Sequence, residues 1–313
     1  MSSPAGADII LCAEPGHNKF RAWAGVLERD PSIWAHPEKV FVYEFSDRPV
    51  GHLSGLYCAM QPATIDWVRM RPADMWGPSD GAVEQELLGR MGEPRWLFSF
   101  RGSNSAGVRE RLFEMDVSAL RASITRTYRW WDYGEAANDE GRRVYLNEIR
   151  DSSFVLCPRG LSPTTLRVYE TMQLGRVPVI ISDDWLPPSG VPWADFSLRV
   201  GEDRIADLPE ILEARRDEAC EMGRAARDAW ERWIRPGPVL MRRWLRAIEE
   251  IVQMRPAGWD EAAVYRQWHS NRFLWDNRIH PLQGAAHRLR NLMHPTTDPS
   301  FGEGPGPGGG PAS

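Results

Sequence analysis

The chain has 313 residues, 42% of them hydrophobic, and a formal net charge of -5. That is enough apolar material for two cores of ordinary domain size. No run of basic residues stands against the acidic balance, so a nucleic-acid partner is not expected. Lys19 and Lys39 are the only lysines among 38 basic residues. Arginine is therefore a matter of overall composition, and only an arginine's placement can point to phosphate. The four cysteines, Cys12, Cys58, Cys157 and Cys220, form neither a Cys-x-x-Cys pair nor a zinc-finger spacing. Scattered cysteines, a first segment with neither a basic start nor a long apolar run, and no membrane-length apolar stretch lead to an expected cytoplasmic location. Most of the fifteen tryptophans are expected in cores and interfaces, with rings to spare for sugar stacking.

In chain order, residues 8–13 (DIILCA) read as a short buried strand, followed by a loop and a helical stretch from Phe20 to Leu27. A second strand is expected at 39–47, then a loop-rich region as far as Pro78. Residues 96–107 (WLFSFRGSNSAG) read as a strand running into a small-residue loop, continued by the helical VRERLFEM. Strand, loop, helix, strand is the alternation of an open α/β sheet. Residues 117–142 read as a helix and a polar connector, and the domain boundary is placed there. The expected division is 1–135, 136–255, further helices at 256–295 and a disordered, glycine- and proline-rich tail at 296–313. The second half opens with a helix, VYLNEIRDS. Beyond residue 183 come a proline-punctuated loop, a strand at 197–200 and helical material broken near Pro209. An amphipathic helix then sets Leu240, Trp244, Ile248 and Ile251 on one face.

The segment FVLCPRGLSPTTLRVYETMQLGRVPVIISD, 154–183, is the most informative. An apolar strand stops at Pro-Arg-Gly. Ser162 reads as an N-cap and Pro163 as the first helical residue, with Gly175 the stop near Leu174 and VPVIIS the next parallel strand. Such a βαβ unit brings a helix N-terminus to the carboxyl end of the sheet, where ligands of open α/β sheets bind and where anions are favoured. Arg159 adds a planar fork suited to phosphate oxygens. Gly160 lets backbone approach a ligand, and Ser162 and Thr164 are counted in the same turn. Arg167 and Glu170 lie one turn apart on one helix face. At that spacing an ion pair is ordinarily a surface feature worth about 0.2–0.5 kcal/mol. The residues by themselves lead as far as an anion site at the top of a βαβ unit.

The same stretch, extended to 145–200, resembles the exostosin-like glycosyltransferases. The resemblance rests on Cys157 to Gly160, on Arg167 with Glu170, on Gly175 with Pro178 and Val179, and on Leu186-Pro187 with Trp193. The N-terminal half is similar more loosely, through VFVYEFSDRPVGHLSGLY and LFSFRGSNSAGVRERL. The resemblance covers roughly residues 8–235. It implies an α/β fold of GT-B type, two Rossmann-like domains facing a cleft, with the N-terminal one shortened. It implies a nucleoside-diphosphate sugar donor, foremost a UDP-sugar, on the C-terminal domain. The acceptor would be a glycan, glycolipid or small-molecule hydroxyl, with peripheral membrane association through it. Transfer would go with inversion and with neither a metal nor a further cofactor. Carried over by motif position, Arg159 would contact the diphosphate, Glu170 the ribose hydroxyls, and Arg167 would support that pocket. Arg101, leaving the 96–101 strand, would face the cleft.

Inversion in one displacement needs a base for the acceptor hydroxyl. Loop-top candidates are Glu14 and His17 after the first strand and Glu44, Asp47 and His52 after the second, with Asp47 best placed by motif. The residues do not choose among them. Another class of reading is a non-catalytic scaffold of the same shape that binds a partner transferase or a glycan. A third is an epimerase or hydrolase that turns over donor without acceptor.

Overall fold

The computed structural model describes residues 6–13, 35–47, 53–75, 86–126, 135–261 and 263. The chain divides into two compact units, Met1–Arg266 and Gln267–Ser313, and every described residue lies in the first. The expected helix at Phe20–Leu27, most of the expected helices at 256–295 and the tail at 296–313 fall outside the described residues.

Two wholly parallel sheets form the frame. The first joins β1 (Ile10–Ala13), β2 (Val40–Glu44), β3 (Gly55–Tyr57) and β4 (Met70–Pro72) in sequential order. The second contains β5 (Trp96–Arg101), β6 (Ala122–Thr125), β7 (Ser152–Pro158), β8 (Val177–Ile181) and β9 (Leu198–Arg199), in the order β6-β5-β7-β8-β9. The helices are α1 (Gly107–Phe113), α2 (Glu135–Arg150), α3 (Leu166–Gln173), α4 (Leu208–Ala214), α5 (Ala219–Ala229) and α6 (Pro238–Met254). The α/β class expected from the sequence is what the chain adopts.

Beyond the stretch at 117–142, expected as a helix and a polar connector but holding β6 and the start of α2, three local expectations are corrected. The region expected to be loop as far as Pro78 holds β3 and β4, each three residues long and fully buried. Gly-Leu-Tyr and Met-Arg-Pro are too short to show a period, and parallel strands buried on both faces do not alternate. The strand at 96–101, assigned to the first half by the boundary near 135, pairs instead with β6 and β7. The change of sheet therefore comes between Pro72 and Trp96. Third, α3 starts at Leu166, not at Pro163. Thr165 precedes it in extended conformation, and the Ser162 hydroxyl donates to the Thr164 carbonyl at 3.1 Å instead of capping the helix. The expected stop is present: Gly175 has φ +64, a left-handed turn that glycine adopts without strain.

Alternation within β7 feeds two cores. Phe154 and Leu156 enter a cluster with Phe98, Phe100, Val108, Leu112 and Val179. Val155 and Cys157 enter another with Val168, Met172 and Ile180. That second cluster continues into the first sheet through Phe41, Tyr43 and Leu56.

Helix α6 ties the first sheet to this frame. Leu240, Trp244, Ile248 and Ile251 are its buried face, as the periodicity predicts, and Trp244 stacks on Tyr43 at 4.4 Å. Arg243 forms a buried ion pair with Asp74, and burial lowers its pKa to about 10. Arg243→Met alone should cost about 3–5 kcal/mol, because it strands the Asp74 carboxylate in the interior. Replacing both partners with apolar residues should recover most of that loss in melting temperature.

Candidate functional site

The strand order of the second sheet contains a reversal. The chain leaves β5 for β6 on one side, then crosses back to place β7 on the other. The connections that follow β5 and β7 therefore lead to opposite sides of the sheet. Open α/β sheets bind ligands at such a switch point. Here the end of β5 supplies Arg101, the loop after it Gly102 and Ser103, and the loop after β7 Arg159 to Thr165.

Arg167, in the first turn of α3, points into this junction. It is only 6% exposed. Its Nη2 donates to the Arg101 carbonyl at 2.5 Å. Its guanidinium lies 4.7 Å from the Phe100 ring centroid and 5.5 Å from that of Tyr145. Nε and Nη1 are buried and meet no acceptor. Arg243 and Arg255, whose Nε is likewise unmet, keep a carboxylate partner, while Arg176 reaches only the Gly92 carbonyl. Arg167 has no carboxylate partner among the described residues.

A second arginine, overlooked in the sequence, stands beside it. Arg109 projects from α1, 9% exposed, and its Nε donates to the Arg159 carbonyl at 3.0 Å. Its Nη2 reaches the Pro158 carbonyl and its Nη1 the Ser103 carbonyl, both at 3.3 Å. A side chain at Gly160 would come within 3.2 Å of Arg109 Nη2 and of Ser105 Oγ, so the loop lies close against the arginine that holds it. Burial, then the charge of Arg167, push the Arg109 pKa down to about 9, while Asp47 acts in the opposite direction. Two guanidiniums thus repel across Phe100, both bonded to carbonyls and neither to a carboxylate among the described residues.

The motif residues divide in role. Glu170 receives the Tyr145 hydroxyl on Oε2 at 2.6 Å and Arg142 Nη1 on Oε1 at 3.3 Å. Arg159 makes a two-pronged pair with Glu202, at 2.6 and 3.1 Å, so its charge is already met within the chain. Arg101 turns to Glu148, which also accepts from Ser123, and contributes its carbonyl to the junction in place of its charge. Ser162 and Thr164 are buried in the loop. Cys157 is a buried thiol whose pKa burial raises to about 12.

Among the candidate bases, Asp47 is partly exposed and close enough for its charge to act on Arg109. Glu44 is buried and accepts from Ser46 at 2.7 Å. His17, Glu14 and His52 lie outside the described residues. Among the described residues no group of three His, Cys, Asp or Glu could hold a metal ion, and no helix is long and apolar enough to cross a membrane.

The Arg159–Glu202 pair makes its own prediction. Arg159→Gln and Glu202→Gln should each lower the melting temperature, and the double variant should lower it by less than their sum. A coupling of about 1 kcal/mol, suited to a partly exposed pair, is the expected reading of that cycle.

Residues 75–215 match the family model described as the Exostosin GT47 domain. The probable glucuronoxylan glucuronosyltransferase IRX7 of Arabidopsis thaliana is 43% identical over 130 residues, 38% of this chain and 26% of that one. The Exostosin-1 homolog of Caenorhabditis elegans is 33% identical over 170 residues, 49% of this chain and 44% of its own length. The chain thus spans less than half the length of these relatives. Among solved structures, TarM aligns over 78% of this chain and 44% of its own at 13% identity, with a TM-score of 0.31 that carries no weight for the fold. The matched segment runs from just after the first sheet through the whole of the second, including the switch point and every motif residue described above, and over these residues the chain is similar to an exostosin GT47 domain.

Proposed function

We propose that the chain is an inverting glycosyltransferase that moves a sugar from a nucleoside-diphosphate sugar to an acceptor hydroxyl. The observation that carries this is Arg167: a buried guanidinium with two unmet N–H groups at the switch point, beside a second arginine of the same sign. Buried charge without a partner is costly, and it is retained where a ligand supplies the partner. A diphosphate is the fitting partner. As the glycosidic bond breaks, charge grows on the departing nucleoside diphosphate, and guanidinium N–H groups stabilise it most in the transition state. That role passes from Arg159, which Glu202 neutralises, to Arg167. Glu170, held on both oxygens, keeps lone pairs for the two ribose hydroxyls. Asp47 is the proposed base.

The Arabidopsis relative is named for glucuronosyl transfer, so UDP-glucuronic acid is the first donor to try, with sugar and lipid-linked hydroxyls as acceptors. The test is release of nucleoside diphosphate from a panel of UDP-, GDP- and dTDP-sugars, with and without acceptors and EDTA. The proposal expects one nucleotide to be preferred, acceptor-dependent release and no loss with EDTA. The scaffold reading gains support from the neutralised Arg159, and it expects no release with any donor.

A further inference from the structure

Arg167 is held by aromatic rings where an anchoring arginine would ordinarily have a carboxylate. This is chemically distinctive. A carboxylate would fix the guanidinium and cancel it in the same contact. A ring face fixes it through the quadrupole while leaving its charge and its edge N–H groups in place. Phe100 comes from β5 and Tyr145 from α2, so the clamp is assembled from two elements across α3.

Tyr145 makes a second contact that Phe100 does not. Its ring takes Arg167 while its hydroxyl donates to Glu170 Oε2 at 2.6 Å. One buried side chain, 2% exposed, therefore touches both residues of the Arg-x-x-Glu motif. The phenol occupies one lone pair of that carboxylate oxygen, and Arg142 approaches the other oxygen at 3.3 Å. Together they hold the carboxylate in one orientation relative to the guanidinium, as second contacts around a recognition group do. We infer that Tyr145 is a positioning residue that sets the spacing between the diphosphate-binding guanidinium and the diol-binding carboxylate, so that the site recognises a ribonucleoside diphosphate as one unit. This rests on the reading of the site as a donor pocket.

The test is calorimetric titration of wild type and Tyr145→Phe with UDP and with 2′-deoxy-UDP. The variant keeps the ring over Arg167 and removes only the hydroxyl. Wild type should bind UDP about tenfold or more tightly than the deoxy form, the scale of one hydrogen bond to a charged group. In Tyr145→Phe that ratio should collapse to about two- or threefold, with UDP weakened and 2′-deoxy-UDP little changed. A purely structural role would weaken both ligands alike and leave the ratio intact. An intact ratio overturns the inference and spares the donor reading. If wild type binds neither of these nor GDP or dTDP, the donor reading falls and this inference falls with it.

Discussion

Arg167→Met should leave a protein that folds as well as wild type and no longer binds a nucleoside diphosphate. The two halves of that result have one cause. In the folded chain the guanidinium has one carbonyl, two ring faces and no carboxylate among the described residues. Its removal forfeits a hydrogen bond and two cation–π contacts, about 1–2 kcal/mol each. It also relieves a buried charge whose effective cost is about several kcal/mol. Methionine fills the same space between Phe100 and Tyr145 and packs well on rings. The melting temperature should therefore hold within about one or two degrees, or rise. Activity should fall on the order of 10² to 10³-fold in kcat/KM, as when one preorganised donor to a developing anion is lost. Stability kept while function is lost is the mark of a residue retained for its ligand.

Arg109→Met should behave in the opposite way. Arg109 spends its N–H groups inward, on the carbonyls of Pro158, Arg159 and Ser103. Each is in a buried or half-buried part of the loop pair, and each buried acceptor left unmet costs about 1–3 kcal/mol. A loss of roughly 3 kcal/mol overall is the expectation, and a melting temperature lower by about 6–12 °C follows for a unit of this size. The loop that carries Arg159 and Gly160 would lose its anchor to α1, so donor affinity should fall with stability. Arg109→Lys can meet one or two of these carbonyls but not all three at fork geometry, and it should recover part of both. Differential scanning fluorimetry with and without UDP reads the two effects side by side.

These two arginines also show what a sequence makes legible. The βαβ unit was readable because its ends carry chemistry of their own: a strand that stops at proline, and Gly175 where the helix must turn left-handed. The start of α3 was misread by three residues, since Ser162-Pro163 has the form of a cap and first turn, yet here Ser162 bonds forward to Thr164. Arg167 and Glu170 were found by their spacing, and the family motif gave them roles. Arg159 had the same standing in sequence, but its partner Glu202 is 43 residues away, beyond any local pattern. Arg109 sits in Arg-Glu-Arg, a string that reads as a solvated helix face. Only the fold shows that the first of those arginines turns inward. Tyr145 is one aromatic in a helix, and its importance lies in touching two residues of another element. The first sheet was the least legible part, because three-residue strands carry no period. The partition between sheets was misplaced because strand pairing is a long-range choice that composition does not mark.

The most direct test is the melting temperature of wild type and Arg167→Met, each with and without UDP. The account predicts that UDP raises wild type by several degrees, that the ligand-free variant melts no lower than wild type by more than about two degrees, and that UDP leaves the variant unmoved. A variant that melts far lower, or that keeps the full UDP shift, would contradict it: the first outcome would make Arg167 a structural residue, and the second would place the diphosphate elsewhere.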